Sequence, residues 1–134
     1  MKVLILLLLA LCTPVWGAEK ILMDKEVEVA RSDYKEFHFR VPENAAGSVE
    51  FEGRFNTMGG LNDDISFYAF DQQNYVNWFS HYKHQKLVNF AKTKQSRFHF
   101  VAEPGKTYYI VLDNFFSSVS GKKVKLFVKM IFQK

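Results

Sequence analysis

The chain is 134 residues long, 48% hydrophobic and 24% charged, which suits one domain with a core of its own and excludes a low-complexity or coiled-coil protein. Its single cysteine, Cys12, excludes an intrachain disulfide framework. The formal charge of +4 is unevenly spread, since residues 18–71 carry 6 basic and 12 acidic side chains and residues 72–134 carry 11 and 2. Such asymmetry points either to an anionic partner or to strands from the two halves alternating within a sheet and neutralising one another. The second reading is preferred, because the basic residues fall mostly on outward positions of the expected strands.

The N-terminus reads as a secretory signal peptide over residues 1–17. Lys2 supplies the positive start and Val3 to Leu11 the apolar run, which is too short to span a bilayer as a helix. Small residues then precede Ala18, where cleavage is expected. Leu11 before Cys12 argues against lipidation. The mature domain, residues 18–134, would be cysteine-free and has no Asn-x-Ser/Thr site, which fits a prokaryotic exported protein. The expected location is secreted or periplasmic, with no transmembrane anchor.

Ile21 to Ala30 opens the domain, with Val27 and Val29 alternating with Glu26 and Glu28. Tyr34 to Val41 sets Phe37, Phe39 and Val41 against Glu36, His38 and Arg40. Ser48 to Phe55 places Val49, Phe51 and Phe55 inward, with Gly53 in the inward row as a bulge or close contact. Asn56 to Asp64 reads as a polar loop. Ile65 to Phe70 is a strand with aromatics on both faces. Tyr75, Trp78, Phe79 and Tyr82 follow at i, i+3, i+4 and i+7, a helical stripe that Asn74 would cap. Lys86 to Ala91 and Arg97 to Ala102 are strands, and Glu103 to Lys106 is a turn.

Thr107 to Asp113 is the strand on which the domain is organised. Tyr108, Ile110 and Leu112 lie on one face, Tyr109 and Val111 on the other, so protein is expected on both sides. Asn114 to Gly121 is a loop presenting Phe115 and Phe116. Lys122 to Phe132 closes the domain, with Val124, Leu126, Val128, Met130 and Phe132 facing in. About eight strands and one short helix predict an all-β, single-domain, jelly-roll-like β-sandwich.

The segment G-K-T-Y-Y-I-V-L-D-N-F-F-S, with the closing K-V-K-L-F-V-K strand, resembles the end of GOLD-type β-sandwiches and of bacterial pre-peptidase C-terminal domains. Asp63–Trp78 and Ser32–Val41 resemble two further segments shared by those domains. The resemblance covers most of residues 32–132. It implies a non-enzymatic module for protein contacts, for cargo or lipid association, or for service beside exported enzymes.

The aromatic set Tyr75, Trp78, Phe79 and Tyr82, with Phe115 and Phe116, is the candidate binding surface, because aromatics on sandwich loops anchor a protein or stack on sugars. The alternative is that the helix simply caps the core. Asp63, Asp64, Asp71 and Asp113 are the only oxygen-ligand set worth weighing for calcium, against solvated loop and Asx-turn roles; no other cofactor is expected. His81 and His84 would share a helix face, yet zinc needs further ligands and none is near. Lys83, Lys86, Lys92, Lys94 and Arg97 interleave with aromatics, but a secretory leader leads away from nucleic acid. An anionic envelope polymer or lipid head group suits that address better. No serine elbow and no cysteine–histidine pair is present, so no enzyme is expected.

The reading is an exported, non-catalytic sandwich that binds a protein in the envelope or outside the cell. The alternative is a glycan- or lipid-binding module that uses the aromatic patch at Tyr75–Tyr82. A flat exposed aromatic row would favour sugars, a deep apolar pocket between sheets would favour lipid, and a convergent Asp–His–Ser cleft would favour an enzyme.

Overall fold

The computed structural model describes residues 16–58 and 62–133, with side chains from position 18. The signal-peptide reading therefore falls almost wholly outside the described residues; the backbone of Trp16 and Gly17 already belongs to the first strand. Eight strands form: β1 Trp16–Val29, β2 Tyr34–Arg40, β3 Val49–Met58, β4 Ile65–Asp71, β5 Val88–Thr93, β6 Gln95–Ala102, β7 Thr107–Asp113 and β8 Lys122–Gln133. One helix, α1, runs from Gln72 to Phe79 between β4 and β5.

Two antiparallel four-stranded sheets face each other, in the orders β1-β8-β3-β6 and β2-β7-β4-β5. This is the jelly-roll arrangement, in which successive strands alternate between sheets except for β4 and β5, which pair within one sheet. The expected fold class is what the chain adopts, and β7 lies inside its sheet between β2 and β4. No helix among the described residues is long and apolar enough to cross a membrane.

The inward parity of both sheets fills one core. Phe51 stacks on Phe100 at 4.8 Å and Phe55 on Phe67 at 4.7 Å, while Phe67 meets Phe98 at 4.6 Å. The Tyr108 hydroxyl enters this core and accepts a hydrogen bond from the Glu103 amide at 2.8 Å, which ties the turn before β7 to the strand. Gly53 marks a close contact and not a bulge, since β3 keeps its register with both neighbours. A Cβ there would sit 2.1 Å from the Phe127 carbonyl oxygen and 2.6 Å from Phe98 Cζ.

Several expected boundaries differ: β1 begins at Trp16, before Ile21, β6 begins at Gln95, before Arg97, and two further shifts have a visible cause. The polar stretch from Asn56 does not begin a loop, because Asn56, Thr57 and Met58 continue β3 opposite Lys125, Val124 and Lys123. Backbone pairing on both sides outweighs polar composition there. The fifth strand starts at Val88, later than Lys86, since Lys86 is engaged by the surface beneath α1.

The charge asymmetry resolves in the first sheet. Acidic β1 lies beside basic β8, which lies beside β3 with Glu50 and Glu52, and then β6. Lys129 pairs with Glu19 at 3.2 Å and Glu52 at 3.8 Å, Lys123 reaches Glu28 at 4.0 Å, and His99 reaches Glu50 at 3.4 Å.

Candidate functional site

The outer face of the β2-β7-β4-β5 sheet departs from the usual solvated surface. Its outward residues include Tyr34 and Glu36 on β2, Tyr109 and Val111 on β7, and Ser66, Tyr68 and Phe70 on β4. Val111 and Phe70 are fully buried although they lie outside the inter-sheet core. The helix supplies much of the cover. Tyr75 lies flat on Tyr109 with ring centroids 4.2 Å apart and planes 4° from parallel. Trp78 meets Tyr34 at 5.3 Å, Phe70 at 5.6 Å and Tyr68 at 6.1 Å.

The helix starts one turn earlier than its aromatic stripe implies. Asp71, not Asn74, is the N-cap: its Oδ1 accepts from the Asn74 amide at 2.8 Å, the third position of the first turn. Asn74 acts as a bolt. Its Nδ2 donates to both Asp71 oxygens, and its Oδ1 accepts from the Gln85 amide at 2.8 Å, which holds the returning chain. The helix ends at Phe79 because His81 takes a left-handed conformation with φ of 61°. His81 and His84 therefore share no helix face, and Tyr82 lies beyond the stripe. His84 turns to the Tyr82 carbonyl and to Lys86 Nζ, each 2.9 Å away.

The six aromatic candidates divide into two pairs and two single residues. Tyr75 and Trp78 are half-buried and belong to the second packing layer. Phe79 and Phe115 are 57% and 52% exposed and both lean on Tyr34, at 6.4 and 5.4 Å with planes 62° and 45° off parallel. Tyr82, 70% exposed, makes no ring contact among the described residues. Phe116 leaves the group altogether: its ring lies under Lys92 and Lys122, whose amines stand 5.2 and 5.3 Å from its centre. The Asx turn explains the split, since Asp113 Oδ1 accepts from the Phe115 amide and sends the neighbouring rings in different directions.

The aspartates are not gathered. Asp64 pairs with the buried Lys122 amine at 2.8 Å, Asp71 caps the helix, and Asp63 is exposed. Asp113 lies near the other end of β4 from Asp71. No group of three metal-ligating side chains forms among the described residues.

Sequence reasoning missed Tyr34 and Tyr68, and it named Lys86 only among the basic residues interleaved with aromatics. Lys86 Nζ sits 4.7 Å over the Tyr68 ring and 5.9 Å over Phe70. The Tyr68 hydroxyl and Lys86 flank Asp113, whose carboxyl is held above its ordinary value chiefly by burial. The Phe115 amide, the Tyr68 hydroxyl and Lys86 pull it back. Burial likewise raises Tyr68, and it raises Tyr75 strongly, helped by the Tyr34 hydroxyl 3.4 Å from that of Tyr75. The available signal was the outward parity of Tyr68 and Phe70 on β4, which matches that of Tyr109 and Val111 on the β7 strand already expected to be covered on both faces.

The arrangement is a rigid aromatic ridge, Phe79–Tyr34–Phe115, supported from below by packed rings. Nothing in it brings a nucleophile to a base.

No family model matches the chain, and no curated protein matches it. Among solved structures, tripeptidyl peptidase 2 superposes with a TM-score of 0.44 at 12% identity, covering 85% of this chain and 10% of that one. Dimeric latent PorU from Porphyromonas gingivalis gives 0.41 at 10% identity, covering 88% and 14%. A family 35 carbohydrate binding module from Clostridium thermocellum gives 0.41 at 12% identity, covering 86% and 89%. The chain thus spans a small part of the first two proteins. Likenesses of this order carry nothing about the activity of this chain.

Proposed function

We propose that the domain is a non-catalytic, exported binding module whose docking surface for a protein partner is the Phe79–Tyr34–Phe115 ridge. The observation that carries this reading is the pairing of two phenylalanines, each more than half exposed, on one half-buried tyrosine. Exposed aromatics held in place lose little freedom on binding, which is what interface anchors require. The ring planes are tilted from one another by 45° and 62° against Tyr34, so the ridge is a knob and not a flat platform for a sugar ring. A knob fits an apolar recess on a protein. The GOLD-like resemblance, with its non-enzymatic modules, leans the same way.

The test is comparative capture from the native culture extract by immobilised wild-type domain and by the Phe79→Ala/Phe115→Ala variant, with equal Tm confirmed first. A protein held in stoichiometric amount by the wild type and lost by the variant supports the reading. Identical capture by both proteins overturns it. Glycan retained without protein moves the function to saccharide binding.

A further inference from the structure

The outer face of the β1-β8-β3-β6 sheet holds an open trough of about 680 Å³. Two cross-strand rows form its floor. One runs Asp24–Phe127–Arg54–Arg97 and the other Glu26–Lys125–Asn56–Gln95, from β1 across β8 and β3 to β6. Elsewhere on this face acid meets base across the strands. In the trough that pattern fails, because Arg54 stands directly opposite Arg97. Like charges in direct cross-strand register destabilise a sheet. Among the described residues no carboxylate lies within ion-pair distance of either guanidinium; the eight ion pairs that form involve other cations. Asp24 lies on the far side of Phe127 from Arg54, and Glu26 is opposite Lys125.

Two further features give the trough shape as a site. The Arg54 guanidinium lies 4.5 Å over the Phe127 ring, which orients it and leaves its edge for a ligand. Asn56 lies on the trough floor with its side-chain oxygen buried out of a ligand's reach. Gln95 and Ser96 add neutral hydrogen-bonding groups alongside it.

We propose that this trough binds an acidic polysaccharide, with Arg54 and Arg97 clamping a sugar carboxylate and the exposed Gln95 exchanging hydrogen bonds with sugar hydroxyls. Paired guanidinium forks match a carboxylate in plane. The neutral Gln95 amide beside the clamp suits a hydroxyl-bearing sugar better than a run of acidic side chains, which has carboxylates and no hydroxyl to donate. Four strands at about 4.8 Å spacing give a floor about 14 Å across, room for a short oligosaccharide. The site lies on the face opposite the aromatic ridge and is independent of that reading.

The test is titration calorimetry of the domain with oligogalacturonate, its methyl ester and polyglutamate at low salt. Binding of oligogalacturonate, with loss of at least about tenfold on esterification, is expected. The Arg54→Gln/Arg97→Gln variant should lose binding by at least the same factor while its urea midpoint stays level or rises, because a like-charge pair has gone. Arg54→Lys/Arg97→Lys, which keeps the charge and loses the forks, should bind more weakly than the wild type. The proposal is overturned if oligogalacturonate does not bind, if polyglutamate binds equally well, or if the Gln variant binds as the parent does.

Discussion

The two outer faces of this sandwich are built from the same alternating strands and treat water in opposite ways. On the β2-β7-β4-β5 face, outward residues are aromatic, a helix lies over them, and Phe70 and Val111 are as buried as the true core. On the β1-β8-β3-β6 face, outward residues are charged, they pair across strands, and the one aromatic on the trough floor, Phe127, lies under an arginine. The difference teaches that parity alone tells which residues point away from the partner sheet, and not whether they meet solvent. A second layer of a few residues, Tyr75 and Trp78 among them, brings Phe70 and Val111 on a sheet's outer face into the interior.

That contrast can be broken by mutation. Trp78→Ala should cost most, about 2–3 kcal/mol, because it opens a void among Tyr34, Tyr68 and Phe70. Urea unfolding checks it, and a loss no greater than that of a surface substitution would make the aromatic face solvent-like after all. Phe127→Ala, its counterpart on the charged face, should cost less, about 1 kcal/mol, from lost area and the lost cation contact. Equal losses in the two variants would erase the distinction between the faces.

Asp113 sharpens the comparison through pH. Burial raises its carboxyl in the folded protein above the ordinary 3.8, so the folded state holds that proton more tightly than the unfolded chain. Ionised Asp113 therefore lowers stability. The penalty is absent in acid below the unfolded value, grows as pH rises through the raised folded value, and is constant above it. Asp113→Asn keeps an acceptor for the Phe115 amide and should be at least as stable as the parent at pH 7. The gap in urea midpoint should close towards pH 3, and a gap that widens in acid would contradict the assignment. Phe79→Ala with Phe115→Ala should have the smallest effect, within about 0.5 kcal/mol, since both rings are more than half exposed. A large fall in Tm would make the ridge structural.

The strands were legible because Phe37 and Phe39, Phe98 and Phe100, and Val124 through Phe132 alternate so regularly. The helix was legible from Tyr75, Trp78 and Phe79, while its start was not. Asp71 and Asn74 are both good caps, and only the bond from Asp71 Oδ1 to the Asn74 amide decides between them. The two phenylalanines after Asn114 look alike in sequence, yet one joins Tyr34 and the other lies under two lysines. Tyr34, Tyr68 and Lys86 come together from three strands or loops far apart in the chain. Arg54 and Arg97 are 43 positions apart and meet through β3–β6 register. Such juxtapositions are properties of the pairing order and leave no local pattern.

The pairing of β1 with β8 also sets a timetable. β1 finds its partner, through the register from Glu19 with Ile131 to Val29 with Lys122, only after the six intervening strands and β8 have been made. Until then Met23, Val27 and Val29 have no sheet to join and remain a sticky edge. Closure over so many residues is slow by nature, on the order of milliseconds to seconds. Stopped-flow refolding would time that interval.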